Sequence, residues 1–412
     1  MAVAQQPTHH WPVTATLIHV SDTRQARRWT LLAAAAVAAG LLLMSGIARF
    51  PLLVAAVSAG PAGLSSPMAN LVAPLAGPSL LLGRLITALC GSYALLRIVS
   101  RLVAPEIPGM TAAALLIGLS WLVAGPGLIS GASSIGDMFG PTQAAIALVM
   151  LALALLLDGL AVAGIGMLGL VFFAQPDVAL WGAIVLAGAS AGLAWDGAHV
   201  ARFWLTGGVC ALLLAVPVVW WGVHTGGFVP AGAAVDGLLP LPPWLPVSVP
   251  LANWVLAACM LAVGLAAFSA LGPDGRTAQC AFAGGVVVLV GGGVMPLLVQ
   301  TPWLLALRPI GADAVLQPLA LTAVAAVLAR DLVGRGGVLR VALSVIAAAS
   351  LLLHPFLLPL AALAMLARAA AAHGELLGIE RRIRAWDRVV LTRAALAALV
   401  LAGVAGVVLR NA

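Results

Sequence analysis

The chain has 412 residues, of which 63% are hydrophobic and only 8% are charged, and its mean hydropathy is +1.14. A soluble domain carries about 25% charged residues, so this composition excludes a water-soluble fold. The net charge of +7 would suggest nucleic-acid binding in a soluble protein, but here the arginines stand at the ends of apolar runs and set orientation instead. The composition therefore predicts an all-α, polytopic integral membrane helical bundle with no nucleic-acid partner.

The first 29 residues form a polar segment that contains three arginines near its end, Arg24, Arg27 and Arg28. The apolar run that follows is too long for the core of a signal peptide. We therefore expect a cytosolic N-terminal tail, residues 1–29, followed by an uncleaved first span.

Apolar runs bounded by Arg, Pro, Gly or Asp predict thirteen spans, since about 20 residues are needed to cross about 30 Å of hydrocarbon. Two pairs of runs have almost no separation, so each pair could be one long or re-entrant element, and we expect ten to thirteen helices. These pairs are 141–157 with 159–174 and 341–354 with 356–372. The remaining predicted spans are 30–49, 79–100, 109–129, 178–195, 203–223, 251–271, 278–299, 314–329 and 394–409.

The distribution of arginine predicts the orientation. If the N-terminus is cytosolic, all but four of the 20 basic residues fall on the inner side, as the positive-inside rule requires. The four exceptions are Arg49, Arg84, Arg308 and Arg410. This predicts a multi-pass protein of a bacterial inner membrane with a cytoplasmic N-terminus.

Residues 373–393 have the pattern of an amphipathic helix. Leu376 and Ile379 begin a series of apolar residues at helical spacing, and the arginines fall largely elsewhere on the helix. We expect this helix on the inner leaflet beside anionic lipid, as a surface anchor or as a docking site for a partner in a membrane complex. It separates the multi-helix transmembrane domain, residues 30–372, from the last span and short tail at 394–412.

Three loops on the opposite side are rich in Pro or Gly. The first, residues 51–78, carries no charge. The second, 125–141, contains Asp137, and the third, 224–250, contains Asp236 and a Pro-Trp cluster that suits a rigid loop at the headgroups.

Ionisable residues inside or just above the hydrocarbon are informative, since each costs about 2.5–3.5 kcal/mol unless it is paired or hydrated. Arg84, a turn or two below the outer end of its predicted span, could hold a phosphate or carboxylate, reach outer headgroups, or pair with an acid such as Asp137. Asp137 could be a general base or a metal ligand, or could cap the helix that begins near Pro141. We therefore treat Asp137 as a catalytic candidate and Arg84 as a substrate-binding candidate, and leave a divalent metal open.

Four further outer-side residues are candidates for substrate binding: Asp177, Arg308, Asp313 and His354. Asp177 follows a proline at the start of a span, where a carboxylate also complements the helix dipole. Arg308 and Asp313 are five residues apart and could simply pair. His354 precedes Pro355, which breaks the helix, so its ring could face a cavity or bond to a freed carbonyl.

The inner side offers no comparable set. Four aspartates are expected in tight turns as caps, mostly beside Gly: Asp158, Asp196, Asp274 and Asp331. The four cysteines lie in apolar segments with no metal-binding spacing, and no soluble-enzyme motif is present.

One stretch resembles the core of GT-C type glycosyltransferases, which are polytopic enzymes that use polyprenyl-phosphate sugars. Residues 138–188 read MFGPTQAAIALVMLALALLLDGLAVAGIGMLGLVFFAQPDVALWGAIVLAG. In that family a helix pair with a short cytosolic turn precedes an outer-edge Pro motif and a short span, as Gln175, Pro176 and Asp177 do here. Residues 351–366, LLLHPFLLPLAALAML, are similar to the later helices of the family.

The resemblance implies transfer of a lipid-linked sugar in envelope glycan or polysaccharide synthesis. The donor would enter from the side, with its phosphate near Arg84 or Arg308, and Asp137 would activate the acceptor. The family generally places a catalytic acid in the first outer loop, but residues 50–83 contain neither Asp nor Glu. Either Asp137 has taken that role or the scaffold persists without the activity.

Two other classes remain open. Residues 329–340, ARDLVGRGGVLR, are loosely similar to a cytosolic turn of major-facilitator carriers, which favours a secondary transporter of a small solute. A non-catalytic membrane subunit of an envelope-polymer assembly is the third class, with the helix at 373–393 as its docking surface.

Overall fold

The computed structural model describes residues 25, 27–41, 78–103, 106–123, 128, 141–225, 249–298, 309–333, 337–372 and 388–411. Within these ranges the chain is helical and contains no strand. The helices are α1 (27–41), α2 (Pro78–Leu102), α3 (Ile107–Val123), α4 (Pro141–Leu157), α5 (Ala161–Gly166), α6 (Leu168–Ala174), α7 (Pro176–Trp195), α8 (Val200–Thr225), α9 (Leu251–Ala270), α10 (Arg276–Leu298), α11 (Asp313–Val333), α12 (Val338–Leu353), α13 (Leu358–Ala372) and α14 (Arg388–Asn411).

The helix lengths confirm the predicted fold class. In the described ranges, seven helices are long and apolar enough to cross a membrane, and five shorter apolar helices accompany them. These twelve, in which α5 and α6 count as one helix, make thirteen together with α1, inside the predicted ten to thirteen. The chain is therefore an all-α, polytopic membrane bundle.

The two closely spaced pairs of runs fold as hairpins rather than as single long helices. The first turns back at Asp158 and Gly159, and Gly159 has a φ of +84°, which only glycine adopts without strain. On the returning α5, a Cβ on Gly164 would lie 2.6 Å from the carbonyl oxygen of Ala152 in α4. The second pair, α12 and α13, reverses through a short 3-10 turn, Pro355–Leu357.

The centre of the bundle is α11, in which almost every side chain is buried. It packs against α2, α3, α9 and α12. A second close contact joins α7 and α10, where a Cβ on Gly188 would lie 2.3 Å from the carbonyl oxygen of Cys280. The small residues at 187–192 thus allow two helix backbones to touch, as is common in membranes.

One span is much shorter than its neighbour. Helices α5 and α6 together cover residues 161–174, which is about 21 Å at 1.5 Å per residue. They pack side by side with α8, where Gly169 lies against Ala211 and Leu214. In this register Ala174 is level with about residue 217, and α8 continues to Thr225, about 12 Å farther. The turn from α6 to α7 therefore lies about 12 Å short of the end of α8, and Gln175, Pro176 and Asp177 in this turn are buried.

The two ends of the bundle differ in charge. Short turns connect helices that alternate in direction, and ion pairs place the described arginines of α2, α10 and α13 at one end. We call this the arginine-rich end, and the other the opposite end. The described arginines at the arginine-rich end are Arg27, Arg28, Arg97, Arg101, Arg202, Arg276, Arg330, Arg340, Arg368 and Arg393.

The orientation of the bundle predicts a cysteine-labelling pattern. In a variant without native cysteines, His224→Cys at the opposite end should react with a membrane-impermeant maleimide on intact cells. Asp274→Cys, in the exposed turn between α9 and α10, should react only after permeabilisation, because we expect the arginine-rich end in the cytoplasm. The reverse pattern would show that the orientation is wrong.

Several expected segments lie outside the described residues. These are most of the N-terminal tail, residues 51–77, 125–127, 129–140 and 226–248 of the outer loops, and 373–387 of the amphipathic helix. Residues 388–393 form the first turns of α14, so the last span begins six residues before the predicted start at 394.

Candidate functional site

The candidate residues of the outer side are only partly described. Asp137 and Arg308 lie outside the described residues, so their roles stay predictions. Arg84 is in α2, Asp177 is in α7 and Asp313 is the first residue of α11.

Arg84 lies inside the protein, as the seventh residue of α2. Only 2% of it is exposed, so its side chain does not lie on the lipid-facing surface. The Sγ atom of Cys90, six residues later, is 4.0 Å from the carbonyl oxygen of Ala147 in α4. Since both helices run from the opposite end to the arginine-rich end, Arg84 is level with the start of α4.

The start of α4 contributes a second buried polar group, Gln143, which is 5% exposed. Helix α4 also packs on α7, where a Cβ on Gly182 would lie 2.7 Å from the Cγ2 atom of Val149. This register places Gln143 level with the first turn of α7. Sequence reasoning missed Gln143, although a glutamine in an otherwise apolar run is a visible signal.

Asp177 is buried at the N-terminus of α7, with 3% exposed. Its Oδ1 atom accepts a hydrogen bond of 2.9 Å from the backbone N–H of Val178. The carboxylate therefore contacts the positive end of the helix, as the sequence predicted. Gln175, the single residue between α6 and α7, is extended and 8% exposed.

Asp313 is fully buried, at the start of α11 after the 3-10 turn Pro309–Ala312. Gly311 in that turn packs closely on the ring of Trp181, and a Cβ on Gly311 would lie 2.4 Å from that ring. Trp181 is one turn after Asp177 in α7. Gly285 of α10 contacts both Leu316 of α11 and Val185 of α7, so these two residues are at the same depth in the bundle. Counting back along each helix at about 1.5 Å per residue places Asp313 about 8 Å deeper than Asp177.

These residues form one set that we call the polar cluster: Arg84, Gln143, Asp177 and Asp313. All four are at least 95% buried and lie within the first two turns of their helices. Helix α2 packs on α4 and α11, and α7 packs on α4 and on the turn before α11. Four helix N-termini therefore converge at the opposite end, next to one guanidinium and two carboxylates. Ionisable groups inside an apolar bundle are costly unless they are paired or hydrated, so these four residues are the ones to examine for binding or catalysis.

His354 makes local contacts at the turn between α12 and α13. Its Nδ1 atom accepts a hydrogen bond of 3.2 Å from the backbone N–H of Phe356, and its ring stacks on the Phe356 ring at 5.0 Å. The histidine thus caps the 3-10 turn between α12 and α13. These helices pack mainly on α3, α9, α11 and α14, away from α4 and α7. Its part in substrate binding stays a prediction.

The described residues contain no group of three or more His, Cys, Asp or Glu side chains placed to hold a metal ion. Asp137, the candidate metal ligand, lies outside the described ranges, so the divalent metal stays a prediction.

The prediction that Asp331 caps a tight turn is wrong. Asp331 lies in the last turn of α11 and accepts two hydrogen bonds of 2.7 Å from Arg368 of α13, from Nε to Oδ2 and from Nη2 to Oδ1. The hydroxyl of Ser344 in α12 donates a third, of 2.5 Å, to Oδ2. Both charged side chains are only 5% exposed. This buried ion pair joins three helices at the arginine-rich end. Asp331 is helical rather than in a turn because α11 continues past the predicted end of the span at 329.

The other three aspartates lie in turns, as predicted, and Asp274 is in the 3-10 turn Gly272–Gly275. Asp158 accepts hydrogen bonds from both Arg97 and Arg101 of α2. Asp196, at the end of α7, pairs with Arg276 of α10 at 2.9 Å. Their partners are arginines counted as orientation signals, so these arginines also hold the helices together at this end.

A comparison of this chain with known protein families, curated proteins and solved structures found no match to any of them.

Proposed function

We propose that this protein is a GT-C-like membrane glycosyltransferase of the bacterial inner membrane. It transfers a sugar from a polyprenyl-phosphate donor during envelope glycan or polysaccharide synthesis. The observation that carries the proposal is the burial of Arg84 at the opposite end, level with the N-termini of α4 and α7.

Arg84 and the four helix N-termini suit a phosphate group. A guanidinium stays charged and binds phosphate oxygens with two parallel hydrogen bonds. Helix N-termini add partial positive charge at the same place. The short span α5–α6 ends about 12 Å short of the end of α8, and we place the phosphate of a lipid-linked donor at that depth.

Asp137 is tied to this site by the chain itself. It precedes Pro141, the first residue of α4, by four residues in the sequence. Its carboxylate is the proposed general base for the acceptor hydroxyl. Asp177 and Asp313 would hold the arginine in place and hydrogen-bond the sugar hydroxyls.

The test is turnover of polyprenyl-phosphate sugars by the full-length protein in liposomes, followed as release of polyprenyl phosphate. Asp137→Asn should lower kcat by about 100-fold or more, because the base is lost. Arg84→Gln should raise KM by about tenfold or more, because charge-assisted bonds to the phosphate are lost. Arg202→Gln, an exposed arginine at the other end of the bundle, is the matched control and should change neither constant.

Thermal unfolding of each variant separates loss of folding from loss of function. If folded wild-type protein neither binds nor turns over any polyprenyl-phosphate sugar, the proposal is wrong. A transporter is then the next candidate, since the buried Asp331–Arg368 pair ties three helices together at the arginine-rich end. Uptake of small solutes into the same liposomes would distinguish it from a non-catalytic subunit.

A further inference from the structure

A cavity of about 390 Å³ lies at the arginine-rich end, away from the polar cluster. It opens where α3 begins, α11 ends and α14 begins. Its apolar lining includes Pro108, Leu332 and Val389, and its polar lining includes Glu106 and Arg393. The volume falls in the range of about 300–1,000 Å³ that is typical of small-molecule sites.

The cavity presents one acid and one base that are free to bind a ligand. Glu106 and Arg393 are both exposed. In the part of the chain that the structure describes, no hydrogen bond or ion pair engages the Glu106 carboxylate or the Arg393 guanidinium. This differs from Arg97, Arg276 and Arg368, which are all paired with aspartates at the same end.

The cavity also opens to the side of the bundle, where lipid lies. Ile107, next to Glu106, is 71% exposed, and Val389 on the cavity wall is 54% exposed. Large apolar side chains with this exposure at the end of a membrane span face acyl chains. A ligand that fits must therefore carry an anion, a cation and an apolar tail.

We propose that this cavity binds a phospholipid whose headgroup carries both a phosphate and a primary ammonium group. The phosphate bonds to the Arg393 guanidinium, and the ammonium donates hydrogen bonds to the Glu106 carboxylate. The glycerol and the start of one acyl chain lie along Pro108, Leu332 and Val389. The site thus selects a zwitterionic lipid with a hydrogen-bonding cation over an anionic lipid, which Glu106 repels.

The experiment is native mass spectrometry of the full-length protein titrated with three lipids that share the same acyl chains. These are phosphatidylethanolamine, phosphatidylcholine, whose quaternary ammonium has no N–H, and the anionic phosphatidylglycerol. We expect phosphatidylethanolamine to bind about fivefold more tightly than either of the others. Glu106→Gln should remove this preference, and Arg393→Gln should weaken binding of all three.

The matched controls are Asp274→Asn and Arg202→Gln, an exposed acid and an exposed base at the same end but outside the cavity. Both should leave the lipid preference unchanged. All four side chains are exposed, so the variants should fold. Equal binding of the three lipids, tighter binding of phosphatidylglycerol, or an unchanged preference in Glu106→Gln would overturn the proposal.

Discussion

Arg368→Met should lower the free energy of unfolding by about 3–5 kcal/mol, because it leaves the buried Asp331 carboxylate without its counter-charge. Both side chains are 5% exposed, and Arg368 provides two of the three hydrogen bonds to Asp331. Only the bond from Ser344 would remain. The shift is measured as the midpoint of unfolding in detergent, by thermal or denaturant titration.

The double variant Asp331→Leu with Arg368→Met should recover most of the loss, because two apolar side chains need no counter-charge. The matched control is Arg276→Met, whose partner is Asp196. That pair is exposed, at 43% and 48%, so its loss should cost less than about 1 kcal/mol. Equal effects of Arg368→Met and Arg276→Met would show that burial of the first pair does not govern its energy.

Gly188→Val should lower stability by about 3 kcal/mol, at the upper end of the range for overpacking. The added Cβ would lie 2.3 Å from the carbonyl oxygen of Cys280, which belongs to the backbone of α10 and cannot rotate away. The two helices must therefore separate over the length of their contact. The same unfolding measurement, with cross-linking between α7 and α10, follows both the energy and the separation.

Gly208→Val in α8 is the matched control, because a Cβ at Gly208 has no atom within 4 Å. Its effect should stay within about 0.5 kcal/mol. If both glycine variants behaved alike, close contact between α7 and α10 would not be a determinant of the fold.

The helices could be predicted from the sequence because each is a local apolar run bounded by turn residues. The Asp-Gly pairs at 158–159 and 196–197 marked hairpin turns, and both glycines have positive φ. Helices α5 and α6 form one continuous apolar run, as predicted, because Met167 between them has right-handed helical backbone angles and its N–H donates to the carbonyl oxygen of Ala163.

The candidate site was predicted only in part, for a physical reason. Arg84 and Asp177 could be identified because a charge in an apolar run is visible locally. The sequence does not show which polar groups lie at the same depth, because this depends on the register between packed helices. Gln143 belongs to the polar cluster because α4 packs on α2 and α7. Asp331 was misassigned because its partner is 37 residues away, in another apolar run.

That separation also has a consequence for how the protein is made. Asp331 leaves the ribosome 37 residues before Arg368, a gap of about 2–7 s at about 5–20 residues per second. During that interval the carboxylate has no counter-charge, so α11 enters the membrane with an acid that favours water at its trailing end. We therefore expect insertion of α11 to be completed only when α13 arrives, so that the three helices enter the bilayer as one co-translational unit.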